Sequence, residues 1–189
     1  MRKTVAIFSV FATLLLSGCP AAVLGGVTGG LMANDNRTAG SFIEDELIEN
    51  KIRLRLLDDI GDKANVGITS YNRFVLLTGQ VPTEELHQHI LAIVKGIENV
   101  RGVHDKMKTG NPSSFSARSS DTVLTARVKT ALCRLQIENF SCLDVKVVTE
   151  KGVVYLLGLL NRAQEAIAIK TTRSVKGVLK VVKIIQRRQ

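Results

Sequence analysis

The sequence contains little that would form a membrane span or an enzyme active site. It has no tryptophan, 4% aromatic residues and three cysteines in 189 residues. Its longest apolar run, Val5 to Leu16, has about a dozen residues, whereas a membrane-spanning helix needs about 20. No Ser/His/Asp set, phosphate-binding loop or zinc-ligand spacing is visible. The sequence therefore predicts no catalytic site and no cofactor.

Histidines are equally scarce. His87, His89 and His104 are the only three in the chain. His87 and His89 are two residues apart on a predicted helix and do not share a face. A metal site built on a pair of helical histidines is therefore not predicted.

Residues 1–18 have the organisation of a signal peptide. Arg2 and Lys3 precede the apolar run, and small residues then lead to Cys19. A charged start, a short apolar segment and a small-residue exit are typical of secretory signals. The ending Leu16-Ser17-Gly18-Cys19 resembles the lipobox of bacterial lipoproteins, which implies cleavage before Cys19 and acylation of that cysteine. The alternative is an ordinary signal peptide with an incidental cysteine.

The resemblance to lipoproteins also implies a location. Pro20 stands where an aspartate would usually retain such a protein in the inner membrane, so we expect a lipid anchor on the periplasmic face of the outer membrane. Export argues against nucleic acid as a partner, although the formal net charge is +9, and favours an anionic membrane. Residues 19–44 are predicted to be a lipidated flexible tether, whose residues 20–44 would span roughly 25–30 Å as a random coil.

The remaining chain contains one pattern twice. In each copy an aspartate suited to N-capping, Asp45 or Asp121, opens an amphipathic helix. Two β-rich runs joined by a polar turn follow and predict a hairpin. The predicted second helices and last strands are 83–96 with Val100–Met107 in the first copy, and 162–176 with Val178–Ile185 in the second.

Each copy is therefore predicted to be α-β-β-α-β, with an antiparallel hairpin and a right-handed crossover to a parallel last strand. This is an α+β fold, an α/β sandwich in which two helices cover one face of a three-stranded mixed sheet. The predicted domains are residues 45–109 and 121–189, and residues 110–120 are predicted to be a linker.

The close of the hairpin and of the second helix carries a family resemblance. The hairpins end in Leu77-Thr78-Gly79 and Leu156-Leu157-Gly158, and we match Lys95-Gly96-Ile97 with Lys176-Gly177-Val178, placing Gly96 and Gly177 at left-handed positions after their helices. These features are similar to BON domains. Two such units behind a lipobox resemble dual BON-domain outer-membrane lipoproteins. The resemblance implies binding of anionic phospholipid, support of outer-membrane integrity including at the division site, and no enzyme activity.

The resemblance places the lipid contact on the first helix of the second domain. Charge agrees, because residues 45–109 carry a net −1 and residues 121–189 a net +8. A basic face that begins with an apolar residue suits an anionic bilayer. The candidate phospholipid-binding residues on this helix are Val123, Arg127, Lys129, Thr130 and Arg134.

Three alternatives stay open at this point. The basic helix face could simply be solvated, as most charged faces are. A second basic group could serve instead; its members are Lys170, Arg173, Lys176, Lys180, Lys183, Arg187 and Arg188. Finally, the chain could be a protein-interaction adaptor for outer-membrane assembly, division-associated or peptidoglycan-remodelling proteins.

Cys133 and Cys142 remain after Cys19. In an oxidising compartment two cysteines can pair, and a bridge would staple the loop at Cys142 to the end of the preceding helix. Cys133 lies about 180° round that helix from Leu124, so it should not point straight into the core. Two separately buried thiols are the alternative.

Overall fold

The computed structural model describes residues 39–111 and 114–187, in which both repeats belong to one compact unit. The predicted signal peptide, Cys19 and the predicted tether up to residue 38 lie outside the described residues. Within the described ranges, no helix is long and apolar enough to cross a membrane.

Both repeats have the predicted element order. The first contains α1 (Ala39–Ile60), β1 (Asn65–Tyr71), β2 (Phe74–Val81), α2 (Glu84–Lys95), β3 (Gly102–Asp105) and β4 (Lys108–Thr109). The second contains α3 (Phe115–Cys133), β5 (Val145–Glu150), β6 (Val153–Leu160), α4 (Arg162–Ser174) and β7 (Lys180–Arg187). Each central strand pairs antiparallel with its hairpin partner and parallel with the strands that follow the crossover helix. The predicted α+β fold is confirmed.

The last strand of the first repeat is interrupted, which the sequence did not indicate. The carboxylate of Asp105 accepts a hydrogen bond from the backbone N–H of Met107, at 3.0 Å. The Met107 side chain is buried in the core. The chain therefore leaves the ladder after Asp105 and rejoins it as β4, so β2 pairs with two short strands where one was predicted.

The helix aspartates do not cap their helices, and the prediction that they would is wrong. Asp45 lies inside α1 and is 1% exposed. Its carboxylate accepts hydrogen bonds from the backbone N–H groups of Asn72 and Arg73 and from the hydroxyl of Ser70, each at 2.7 Å. The carboxylate thus ties the helix to the turn of the β1–β2 hairpin.

The second repeat uses the same clamp. Asp121 accepts hydrogen bonds from the backbone N–H groups of Lys151 and Gly152, at 2.7 and 2.9 Å. In both hairpins the two turn residues have positive φ, with Asn72 at 49° and Arg73 at 66° in the first. Two-residue turns of this kind match the twist of the flanking strands, and the aspartate supplies the acceptor for their N–H groups.

The aspartates bind the hairpin turns and are not the N-caps, and both helices begin earlier in the chain than predicted. α1 begins at Ala39, within the predicted tether, and α3 begins at Phe115, within the predicted linker. Ser114 is the true N-cap of α3, since its side chain accepts a hydrogen bond from the N–H of Ala117. The serine-rich composition that predicted a linker therefore contains a helix start.

The match of Gly96 with Gly177 is displaced by three residues. Gly96 has φ −84° and is right-handed, so its predicted left-handed conformation is wrong, whereas Gly177 has φ +103°. The residue equivalent to Gly177 is Asn99, with φ 69°. The residues two positions later show this equivalence. Arg101 donates its N–H to the carbonyl of Arg73 in the hairpin turn of the first repeat, and Leu179 donates its N–H to the carbonyl of Gly152 in the hairpin turn of the second. Asparagine tolerates this conformation better than most residues.

The two sheets pack against each other through the faces that their helices leave open. In β2, Val75 and Leu77 face the core shared with α1 and α2, while Leu76 faces the other way. In β6, Val154 and Leu156 lie in the core shared with α3 and α4. Leu76 joins Tyr71, Tyr155 and Leu157 in a third buried cluster between the sheets. The layers are therefore helices, sheet, sheet and helices.

Polar contacts surround this third cluster. The Tyr71 hydroxyl donates to the carbonyl of Asp144 at 3.2 Å, and Gln80 donates to the Glu150 carboxylate at 2.7 Å. Lys146 donates to the carboxylate of Glu49, 7% exposed, at 2.7 Å. These contacts fix the two repeats in one arrangement, with both helical layers on the outside.

We predict that Asp45→Ala lowers the free energy of unfolding by about 3 kcal/mol, because it leaves one buried hydroxyl and two part-buried backbone N–H groups without their acceptor. Urea denaturation of residues 34–189 measures this. Asp62→Ala, at an exposed carboxylate of the same repeat, should change stability by less than about 0.5 kcal/mol. Equal losses in the two variants would contradict the clamp.

Candidate functional site

The outer face of α3 is the candidate functional surface. The helix buries Leu124, Val128 and Leu132 against its sheet. The opposite face is exposed, and every predicted phospholipid-binding residue lies on it: Val123, Arg127, Lys129, Thr130 and Arg134. Helical spacing therefore placed these side chains on the solvent side, as the sequence indicated.

Four of the five predicted residues line one depression. Its volume is about 530 Å³, and α3 forms most of it together with Val175 from the end of α4. The lining residues are Val123, Ala126, Arg127, Thr130, Ala131, Arg134 and Val175. The floor is aliphatic and the rim carries two guanidinium groups. Lys129 is exposed but lies outside this depression.

A second depression of about 470 Å³ adjoins the first, and Arg127 lines both. It runs from α3 to the hairpin turn at Lys151 and Gly152 and to Lys176. We refer to the two depressions together as the basic groove. Asp121 also lines it, but both of its carboxylate oxygens already accept backbone hydrogen bonds.

Among the described residues, the rim cations of the groove form no salt bridges, although the Asp121 carboxylate lies in the second depression. In residues 39–111 and 114–187, no ion pair involves the rim residues Arg127, Arg134, Lys151 and Lys176. Their side chains are exposed. The groove therefore presents an aliphatic floor inside a positively charged rim, a combination that suits an anionic headgroup carried on an apolar molecule.

Sequence reasoning missed one apolar side chain beside the groove. Leu179 is 79% exposed, the largest exposure among the bulky apolar residues of the described chain. Its side chain lies against Gly152, and its N–H donates to the Gly152 carbonyl at 2.9 Å. Alternation could have found it, because Val178 packs on the core and its neighbour must point outward.

Sequence reasoning also placed Lys176 in the wrong group and overlooked Lys151. The predicted second basic group does not form one surface in the structure. Lys176 belongs to the basic groove, Lys183 pairs with Glu165 at 2.6 Å, and Arg187 lines a different cavity. Arg188 lies outside the described residues.

Cys133 and Cys142 form a disulfide bond in the structure, with their Cα atoms 4.8 Å apart. Cys133 is the last residue of α3, and Cys142 opens the 3-10 turn Cys142–Asp144 that leads into β5. The bridge closes the loop that begins with Arg134, the C-cap residue of α3. It therefore holds one end of the basic groove in place.

The histidines lie away from the groove. His87 Nε2 is 2.7 Å from the Asp105 carboxylate in the first repeat, in a part-buried contact. His104 lines a cavity of about 370 Å³ with residues of β7, where burial lowers its pKa and the charge of Lys106 lowers it further. In the part of the chain that the structure describes, no group of three or more histidine, cysteine or acidic side chains could hold a metal ion.

Comparison with known proteins gives a family match. The BON domain profile matches residues 44–111 and 120–189. These two ranges contain both structural repeats, the basic groove and the disulfide.

A lipoprotein and other bacterial proteins share sequence with the chain over most of its length. Outer membrane lipoprotein DolP of Haemophilus influenzae is 36% identical over 178 residues, which cover 93% of this chain and 91% of that protein. The 21 kDa hemolysin of Actinobacillus pleuropneumoniae is 33% identical over 153 residues, covering 80% and 78%. Osmotically-inducible protein Y of Escherichia coli is 29% identical over 146 residues, covering 75% and 72%. The first similarity extends over nearly the whole chain.

We predict that Cys133 and Cys142 show no free thiol when the protein is acid-quenched and denatured without reductant, and two after reduction. Replacing Cys142 by serine should lower the free energy of unfolding by about 2–3 kcal/mol, because the short loop is no longer closed in the unfolded chain. A thiol titration of residues 34–189 gives the count. Two free thiols before reduction would contradict the bridge.

Proposed function

This chain belongs to the BON-domain family, and from that premise we propose that it is an outer-membrane lipoprotein whose second repeat binds anionic phospholipid through the basic groove. The similarity to the outer membrane lipoprotein of Haemophilus influenzae supports the location. The groove supports the ligand. We propose a binding protein without catalytic activity.

The observation that carries the proposal is the aliphatic floor of the groove inside its unpaired cationic rim. Phosphate groups pair with arginine and lysine, while the glycerol and first methylenes of a lipid need an apolar surface. Val123 and Leu179 are 50% and 79% exposed at the borders of the groove. Both can enter the bilayer interface when the rim cations meet headgroups.

The energies indicate what this contact does. Each basic residue near an anionic surface contributes about 1 kcal/mol, so the four rim cations contribute about 4 kcal/mol together. That corresponds to a dissociation constant of about 1 mM. Such a contact orients a protein that is already at the membrane, and it does not by itself hold the protein there.

The anchor in this proposal is the acylated Cys19. Two or more lipid chains form a stable attachment, and the chain between Cys19 and α1 keeps the groove near the same surface at a high effective concentration. The groove then selects anionic lipid within the membrane plane. The family resemblance implies that such proteins support outer-membrane integrity, including at the division site. We propose that lipid binding by the groove serves this role.

We predict that Arg127→Glu weakens binding to vesicles of phosphatidylcholine and phosphatidylglycerol by roughly 30-fold, because it removes one cation that lines both depressions and adds an anion. Co-sedimentation of residues 34–189 at low salt measures the affinity. Wild-type binding should need the anionic lipid and should weaken as salt is raised.

Lys170→Glu is the matched control, since Lys170 is exposed on α4 of the same repeat and lines neither depression. It changes the net charge equally and should alter binding much less. Equal losses in both variants would mean that overall charge, and not the groove, attracts the protein. Both repeats are kept in this test because an isolated second repeat would expose Tyr155 and Leu157.

A further inference from the structure

Helix α1 carries apolar side chains on its outward face as well as on its buried face. Ile48, Ile52 and Leu56 are buried against the first sheet. On the opposite side, four bulky apolar residues are exposed to about half or more of their surface: Ile43 (50%), Leu47 (47%), Leu54 (64%) and Leu57 (61%). A solvated helix face would be polar here, so this stripe needs a partner.

The stripe has the spacing of a coiled-coil seam. Counting Asn50, which lies in its centre and is exposed, the positions are 43, 47, 50, 54 and 57. The steps of 4, 3, 4 and 3 residues are those of alternating d and a positions in a heptad repeat. Asn50 stands at a d position, where burying its amide costs stability unless the amide is hydrogen-bonded. We call these five residues the α1 seam.

The flanking charges identify the partner. With Leu47 and Leu54 at a positions, Glu46 and Arg53 occupy g positions, and Lys51 and Asp58 occupy e positions. In a parallel pair each g residue faces the e residue five positions later on the other helix. Glu46 then meets Lys51 of the second copy, and Arg53 meets Asp58. Both pairs are of opposite charge, so the seam is complementary to itself.

We propose that the α1 seam binds the α1 seam of a second copy of this chain as a short parallel coiled coil. In the parallel register all five layers meet their own counterparts. An antiparallel pair sets a against d positions and leaves either Ile43 or Leu57 without an apolar partner. This inference is independent of the lipid-binding proposal, because the seam lies on the first repeat and the groove on the second.

An anionic membrane is the less suitable occupant of this face. Three carboxylates and two cations border the stripe: Glu44, Glu46 and Asp58, and Lys51 and Arg53. A second copy satisfies them, whereas an anionic surface repels the three carboxylates.

The present contacts of the flanking side chains do not oppose this pairing. Lys51 lies 3.5 Å from Glu98, and Glu46 lies 3.9 Å from Lys146. Arg53 lies 3.0 Å from Glu49 and donates to the side-chain oxygen of Asn50 at 3.1 Å. Lys51 and Glu46 are 43% and 49% exposed, and exposed ion pairs contribute little, so these side chains can exchange partners. Arg53 can also exchange, because the Glu49 carboxylate, 7% exposed, still accepts hydrogen bonds from the Ser70 N–H and from Lys146. Two heptads are short for a coiled coil, but α1 is already held helical by its buried face, so association does not have to form the helix.

The test uses single cysteines in the full chain, oxidised in the membrane. Asn50→Cys and Leu57→Cys should each form a disulfide-linked dimer, because in the parallel register both positions meet their own counterparts. Arg55→Cys is the matched control, since Arg55 is 61% exposed, as Leu57 is, but lies about 120° away round the helix from Ile43. It should cross-link at least severalfold less, and the chain without an added cysteine should not cross-link.

A charge exchange tests the register. In the Leu57→Cys background, Glu46→Lys should lower the cross-linked fraction several-fold, because the introduced ammonium group would then face Lys51 of the second copy. Adding Lys51→Glu should restore it. Three outcomes would each overturn the proposal. Equal cross-linking at positions 55 and 57 would indicate random collision, and cross-linking at position 50 without position 57 would indicate an antiparallel pair. Protection of position 57 by phosphatidylglycerol vesicles, with no dimer formed, would indicate a membrane contact.

Discussion

The rest of the structure depends on the packing of the two sheets against each other. Each central strand is buried on both faces: β2 contributes Val75 and Leu77 to the helical core and Leu76 to the cluster between the sheets, and β6 divides its residues in the same way. A strand that is buried on both faces has a nearly continuous apolar sequence, and both central strands show such a run. Because the sheets use their open faces on each other, the helices of both repeats must lie outside. The outer faces of α1 and α3 are consequently among the surfaces that remain for partners.

Within each repeat the buried aspartate decides how the outer helix sits on its sheet. The carboxylate binds a turn whose residues have positive φ, and this fixes the start of the helix core against one end of the hairpin. In the second repeat the same contact brings Lys151 beside Arg127 on the groove. A stabilising contact thus also assembles the candidate site from two parts of the chain that are about 25 residues apart in sequence.

The repeat, the element order and the exposed side of α3 could be predicted because they follow from local periodicity and from duplication. The failures have physical reasons. An aspartate ahead of an apolar stripe has the same pattern whether it caps a helix or binds a distant turn, so Asp45 and Asp121 were misassigned. Lys95-Gly96-Ile97 resembles Lys176-Gly177-Val178 in sequence but lies three residues before the equivalent structural position, so Gly96 was matched with Gly177 in place of Asn99. The contacts of Leu179, Lys151 and Lys176 depend on tertiary structure. The packing of the sheets could not be predicted because the sequence of a strand that is apolar on both faces does not show which face meets the helices and which meets the other sheet.

We propose that the second repeat contacts the membrane and that the first repeat contacts a second copy of the chain. The most direct test of this division is the depth of single fluorophores in the bilayer, attached through cysteines that replace Val123, Leu179 or Leu54 and quenched by lipids labelled along their acyl chains. With phosphatidylglycerol present, we expect quenching at positions 123 and 179, near the interface, and none at position 54. Quenching at position 54 with none at 123 and 179 would contradict this division, because the membrane would then contact α1 and not the basic groove.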